Sequence, residues 1–384
     1  MERIYMDHAA TTAISEAALT AMVSCYRERG GNPSAIYPLG QDSQGALEKA
    51  RIVMAKGLHA LSTEIFFTSG GTEGNNWVLS GVARAKGRGH IVTTAIEHNS
   101  VLKTAARLEE DGFEVTYLQP DRFGFIAPEQ LEAALRPDTI LVSVMLANNV
   151  VGTIQDIPAL VKVAHARWIP FHTDAVQAVG HIPINVRRLG ADFLTLSAHK
   201  FHGPKGVGAL FCRLSNYVPP LILGGGQERG GRSGTENVPG AVGMAAAFEE
   251  CLAGLDEDTA YLTKLRRRLT EGMTAIPGVR LTGDPERRLP GLASFIVDGI
   301  PHSAHIVYAL GGREICVSSG SACSVGSQEA SHVLKAMGFN MRAAMGALRF
   351  SLDVSNTEEE VDRVLAVIPG VIEEVRAKKG SLWG

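Results

Sequence analysis

The sequence predicts an α/β protein built on an open, mostly parallel sheet, and three observations carry that expectation. Short apolar or β-branched runs alternate with helix-like stretches from residue 64 to Cys212. Several of these runs are apolar at nearly every position, as strands covered on both faces must be. Glycine, at 42 residues, is concentrated in the loops that follow the runs, where backbone has to approach a ligand closely.

The expected strands are "EIFFTS" (64–69), "HIVTTA" (90–95), "FEVTYL" (113–118), "TILVSVML" (139–146), "IPFHTD" (169–174), "DFLTLS" (192–197) and "GVGALFC" (206–212). Helix-like stretches fall at 75–87, 99–111, 128–136 and 156–167. After about residue 239 the pattern changes. A long helical stretch, 240–275, leads to "LASFIVDG", "EICVSSGSACS" and "ALRFSLDV" with helical segments between and after. We read this as a large domain over 15–258 and a smaller α+β domain made of 1–14 and 259–384.

The chain has 384 residues, 45% of them hydrophobic and 20% charged, with a net charge of −3. That length supports a large core. The near-neutral balance gives no electrostatic reason to expect nucleic acid or an anionic membrane as partner. No run approaches the roughly 18 apolar residues of a membrane span, and "MERIYMDHAATT" carries no basic-then-apolar signal, so the protein is expected in the cytoplasm. Five cysteines, widely spaced and without a C-x-x-C pair, argue against a disulfide framework or a zinc knuckle. No metal is expected: His199 and His202 are three apart but have no cysteine or acid at ligand spacing.

In open α/β sheets ligands collect beyond the carboxyl ends of strands, and the chemistry-bearing residues fall there. "FFTSGGTEGNN" runs from a strand through Gly71 and Thr72 into a helix start. It fits an anion site of backbone N–H groups, or a plain glycine turn with Thr72 as cap. Asp174 closes one apolar run, either as an N-cap or as the partner of a protonated ring nitrogen. Lys200, 26 residues on, closes the next. A carboxylate and an amine at the ends of neighbouring strands are what pyridoxal phosphate requires: a covalent anchor for its aldehyde and a partner for its pyridine nitrogen. His98 closes another run; alone it is a structural hydrogen-bonder as readily as a proton shuttle. Cys323 lies in "VSSGSACSVGS", among serines and glycines rather than large apolar neighbours. That is the composition of a mobile loop, which suits a thiol that must reach a substrate as well as an incidental cysteine in a turn. Arg349, inside the strand-like "ALRFSLD", suits a bidentate grip on a carboxylate.

In this order the segments resemble the cysteine desulfurases, the NifS/IscS-like branch of class V, fold-type I pyridoxal-phosphate enzymes. The resemblance runs through "YMDHAATT" (5–12), "GNPSAIYPLG" (31–40), "FTSGGTEGNN" (67–76), "EHNS" (97–100), "NNVVG" (148–152), "HTDAVQAVG" (172–180), "SAHKFHGPKGVGAL" (197–210), "GGGQERGGRSGTENV" (224–238), "SSGSACS" (318–324) and "RFSL" (349–352). It implies a large domain on a seven-stranded, mostly parallel sheet. It implies that L-cysteine is converted to L-alanine while its sulfur passes to Cys323 as a persulfide, for delivery to a sulfur-acceptor protein in iron–sulfur cluster assembly or in tRNA or cofactor thiolation. Lys200 is then the covalent cofactor anchor, with His98 stacked on the ring, Asp174 at the pyridine nitrogen, and Asn149 and Gln177 near the ring hydroxyl. Thr72, beside Gly71, holds the phosphate with Ser197 and His199. Thr235 reaches the phosphate of the other subunit of a homodimer. Arg349, assisted by Asn149, binds the cysteine carboxylate, and Lys200 or His98 moves protons.

Three departures stand out. Val150 replaces the family's usual glutamate after the paired asparagines, Ala330 stands where proline is common, and the chain ends at "SLWG", short of the tail with which iron–sulfur-type relatives dock a scaffold. The rival readings are a selenocysteine lyase, a cysteine-conjugate β-lyase or an aminotransferase of the same family and, from another class, a catalytically silent sulfur carrier.

Overall fold

The computed structural model describes residues 3–216, 218–320 and 330–377. Its strands are β1 (Ile4–Tyr5), β2 (Ile65–Thr68), β3 (His90–Thr94), β4 (Glu114–Leu118), β5 (Thr139–Ser143), β6 (Phe171–Asp174), β7 (Phe193–Ser197), β8 (Gly208–Cys212), β9 (Val279–Thr282), β10 (Leu292–Val297), β11 (Ile315–Cys316) and β12 (Ala347–Ser351). The main sheet has seven strands in the order β2-β8-β7-β6-β5-β3-β4. Every pairing from β7 to β4 is parallel, and β8 runs antiparallel to both its neighbours. The seven strands expected from the sequence are these seven. β3, β6 and β7 are buried at every position, and the buried histidines of β3 and β6 are held inside the sheet, His90 by Thr139 and Thr116 and His172 by Ser143 and Thr195.

Helices cover the sheet. Gly71–Lys86 starts at Gly70 and stops at Gly87, whose φ of 75° ends the helix in the left-handed conformation glycine adopts freely. Asn99–Glu110 is capped by His98, whose ring nitrogen accepts from Ser100 N. Helix Pro38–Leu58 buries Leu47, Met54 and Leu58 in the main core with Phe171, Leu194 and Phe248.

A second core lies around a three-stranded antiparallel sheet, β12-β10-β9, with Phe295, Leu348 and Phe350 at its centre. The short β9, half exposed, has no apolar run to announce it in the sequence. "EICVSS" contributes only the two residues of β11, which pair in parallel with β1. The N-terminal arm thus joins the second core through Ile4 and Met6. It then crosses to the main core, where Ser15 N donates to His202 O.

One 37-residue helix, Val238–Thr274, serves both cores. Met244 and Phe248 pack in the first, Leu262, Leu265, Leu269 and Met273 in the second. By length and composition it is apolar enough to cross a membrane, but half of the relevant window is buried in the protein, as a core helix requires.

Candidate active site

At the carboxyl ends of β2, β3, β5, β6 and β7 lies a cavity of about 290 Å³. Ten sequence-predicted residues line it: Gly71, Thr72, His98, Asn149, Asp174, Gln177, Ser197, His199, Lys200 and Arg349. Nine of them stand at or just beyond strand ends of the main sheet, where parallel strands open their following loops on one side, and Arg349 reaches the same space from β12 of the second sheet.

Asp174, the last residue of β6, is buried and held from two sides. Asn75 Nδ2 donates to its Oδ2 at 2.6 Å, and Val176 N donates to its Oδ1 at 2.9 Å. The second contact is the turn role foreseen for an aspartate there, and the other carboxylate oxygen is held by the helix Gly71–Lys86. Asn75 also donates to Ser100 Oγ at 2.8 Å. Ser100 in turn fixes His98: its backbone N–H donates to His98 Nδ1 at 3.1 Å and its Oγ lies 2.8 Å from the same nitrogen. A backbone N–H can only donate, so the proton of a neutral His98 sits on Nε2. Asn75 and Ser100 thus tie the carboxylate and the imidazole into one network.

Lys200 ends a short 3-10 turn after β7. Its Nζ donates to Ala9 O at 2.6 Å and Ala10 O at 2.7 Å, and its own carbonyl lies 2.8 Å from His181 Nε2. Gln177 Nε2 donates to the same Ala9 O. His199 has its ring pKa pushed down to about 4 by burial and by the positive charges of Lys200 and Lys205, so it stays neutral at physiological pH. Glu97, next to His98 in the chain, is by contrast a fully buried carboxyl pushed up to about 8 by burial. Glu97 Oε1 accepts from Thr94 Oγ1 and Met145 N, and its Oε2 has no partner among the described residues.

Gly70 and Gly71 are required by shape. Gly70 has φ 148°, and a Cβ on Gly71 would come within 2.6 Å of Val176 Cγ2. The chain therefore turns into the helix close against Val176 and Ser197, with the Gly71 N–H at its first turn. Arg349, in β12, is buried, yet its Nε has no partner among the described residues.

Two predicted residues lie elsewhere. Thr235 lines a separate cavity of about 70 Å³ with Arg232 and Glu228, sharing no lining residue with the first. Cys323 lies outside the described residues; the chain before it is anchored where Ser318 pairs antiparallel with Arg349. The departures from the family pattern prove mutually consistent. Val150 and Ala330 pack in one apolar cluster with Ile96, Val333 and Leu334, where a glutamate would be a buried charge without a counter-ion.

Sequence reasoning missed Asn75, Ser100, Met145, Ala9 and Ala10. Asn75 lies four residues after Gly71, one helical turn on, so a helix beginning at Gly71 carries it on the same face.

The donor set fits pyridoxal phosphate. An amine, a doubly held carboxylate and a neutral imidazole surround one cavity, and a glycine-lined helix start with a serine hydroxyl forms its anion end.

The family model described as "Aminotransferase class-V" matches residues 4–364. The chain is 47% identical to cysteine desulfurase IscS of Methanosarcina thermophila over 97% of its own length and 93% of that protein's. It is 44% identical to cysteine desulfurase IscS of Clostridium botulinum over 100% of this chain and 97% of the relative. Among solved structures, a NifS-like protein superposes with a TM-score of 0.91 at 41% identity, covering 97% of this chain and all of the other.

Proposed function

Because the chain belongs to the class-V aminotransferase family and is a pyridoxal-phosphate-dependent cysteine desulfurase, we propose that the Lys200 cavity is its active site and that Cys323 receives the sulfur. One observation carries this reading: an amine and a carboxylate from the ends of neighbouring strands, and a buried guanidinium from far along the chain with donors to spare among the described residues, line a single space.

Lys200 is the covalent anchor of the cofactor. Gly71 N–H, Thr72, Ser197 and His199 hold its phosphate, Asp174 its pyridine nitrogen, and Asn149 and Gln177 its ring hydroxyl, with His98 against the ring. When bound, pyridoxal phosphate supplies an electron sink for the charge that develops at the substrate's α-carbon. Arg349, with Asn149, binds the carboxylate of L-cysteine and so orients the substrate. Lys200 Nζ and His98 move the proton at the α-carbon, and the tautomer set by Ser100 leaves His98 Nε2 as the proton-bearing end. The thiolate of Cys323 attacks the substrate sulfur, an S–S bond forms as the C–S bond breaks, and a proton taken up at Cβ completes L-alanine. Cys323 is five residues along the chain from Ser318, a tether of at most about 18 Å.

The persulfide then passes to a sulfur-acceptor protein. The enzyme works as a homodimer in which Thr235 serves the partner's site. Exposed Ile36, Tyr37 and Leu223 support an apolar contact face, and Thr235 lies off the cavity of its own subunit. The main core and the core around β12-β10-β9 support a division into 15–258 and 1–14 with 259–384, the two joined where Ala9, Leu289 and Leu292 pack in the main core. The four cysteines among the described residues, all unpaired, support a reducing compartment, the cytoplasm.

The test is to incubate the enzyme with L-cysteine and a thiol reductant and quantify alanine and sulfide together. Equal yields, abolished by Cys323→Ala, are expected. Pyruvate and ammonia in place of alanine, or turnover indifferent to Cys323, would sink the persulfide route.

A further inference from the structure

Arg349 is 1% exposed, and a guanidinium so placed must be held by neighbours to keep one orientation. Two of its five N–H donors are spent among the described residues: NH1 donates to Asn149 O at 2.8 Å and NH2 to Asp7 Oδ1 at 2.7 Å. Its Nε is buried without a partner among the described residues. Asp7 belongs to "YMDHAATT", whose Ala9 and Ala10 carbonyls accept from Lys200 Nζ, but Asp7 itself does not line the cavity.

We propose that Asp7 is the positioning residue for substrate recognition: it pins one corner of the Arg349 guanidinium while Asn149 O pins another, so that the remaining N–H donors are presented to the carboxylate of L-cysteine. Two fixed corners define the orientation of a planar, rigid group. The backbone of Asp7 is held in place: it bridges to Ser351 at the end of β12, and its carbonyl accepts from Tyr5 Oη at 3.0 Å and from Ala10 N at 2.9 Å. With one carboxylate already paired to the guanidinium, the substrate is recognised by the directions of the leftover N–H groups more than by net charge. The isosteric amide therefore retains the function, and deletion of the side chain abolishes it.

This inference rests on Arg349 being the carboxylate holder, and the experiment separates the two. Binding of L-alanine and of cysteamine, the same amine and thiol without a carboxylate, is measured by calorimetry on the holoenzyme of the wild type and of Asp7→Ala, Asp7→Asn and Arg349→Lys. Thermal melts check that each is folded, and KM and kcat are measured with L-cysteine. Asp7→Ala is expected to weaken L-alanine binding and raise KM at least tenfold with kcat within about threefold. Cysteamine binding stays within twofold, and Asp7→Asn stays within about threefold of wild type throughout. If Arg349→Lys leaves L-alanine binding unchanged, the assignment of Arg349 falls and this inference with it. If Arg349→Lys weakens L-alanine but Asp7→Ala does not, or Asp7→Ala weakens cysteamine equally, or Asp7→Asn is as damaging as Asp7→Ala, the role of Asp7 alone is overturned.

Discussion

Arg51 and Arg349 are both about 1–2% exposed, yet they are held in opposite ways. Arg51 is saturated. Its Nε donates to Glu48, NH1 to Ile65 O and Glu228 Oε2, and NH2 to Glu228 Oε1, at 2.7–3.1 Å. Glu228 in turn accepts from Phe67 N at 2.9 Å. Among the described residues Arg349 spends two donors and leaves Nε without a partner. Burial alone does not distinguish the two; unspent donor capacity does. A buried cation with nearly every N–H used ties elements together, whereas one with most of its N–H groups to spare beside a cavity can take a ligand.

The largest effect that would break this comparison concerns the saturated pair. Glu228→Ala leaves Arg51 buried without its counter-ion and is expected to cost about 3–5 kcal/mol of stability, read from denaturant midpoints, with kcat/KM per folded molecule within about threefold. A mild stability loss would show Arg51 to be as adaptable as Arg349.

Arg349→Lys keeps the charge and loses the planar fork. A fall of at least about 100-fold in kcat/KM, about 2.7 kcal/mol, is expected with a smaller change in melting temperature. The reverse ranking would place Arg349 on the structural side.

Glu97 extends the contrast to an acid. Burial pushes its carboxyl up to about 8, above the roughly 4.3 of the unfolded chain. Between those values the folded state holds a proton that the unfolded state has given up, so this group makes stability fall as pH rises. Glu97→Gln removes that slope, and the variant gains on the wild type from pH 5 to pH 8 in denaturant midpoints. A constant difference at both pH values would contradict a neutral Glu97.

The smallest effect is at His202, whose Nε2 lies 2.8 Å from Asp353 Oδ2. Burial opposes its charge, but the hydrogen bond and field of Asp353 outweigh that and raise its pKa, while Asp353 is held well below the usual carboxylate range, its burial outweighed by His202. A raised histidine contributes stability below about 6.5 and loses it as pH rises through the folded value. His202→Gln should therefore cost more at pH 6 than at pH 9. Equal costs would leave a neutral hydrogen bond as its whole contribution.

The main sheet was legible because each strand is a short apolar run between polar turns, with nothing in its sequence to compete. β9 was not, since "VRLT" is four residues with one exposed and one half-buried, and its pairing with β10 supplies what its sequence lacks. The cavity was legible where residues close strands, as Lys200, Asp174 and His98 do. Asn75 and Ser100 act across from one helix start to another, a relation that depends on how two helices meet at the sheet. Asp7 shows the same limit: its carboxylate has meaning only beside a guanidinium 342 positions later.

The helix Val238–Thr274 has a mechanical consequence. At 1.5 Å per residue its 37 residues form a beam about 55 Å long with one end bolted into each core. A loop at this crossing would let the two halves swing by turning a few backbone dihedrals. A continuous helix has none to turn, so relative motion there must bend the beam elastically, in small sliding displacements rather than a wide hinge. Arg349 on one side and Lys200 on the other are thus kept at a nearly fixed span.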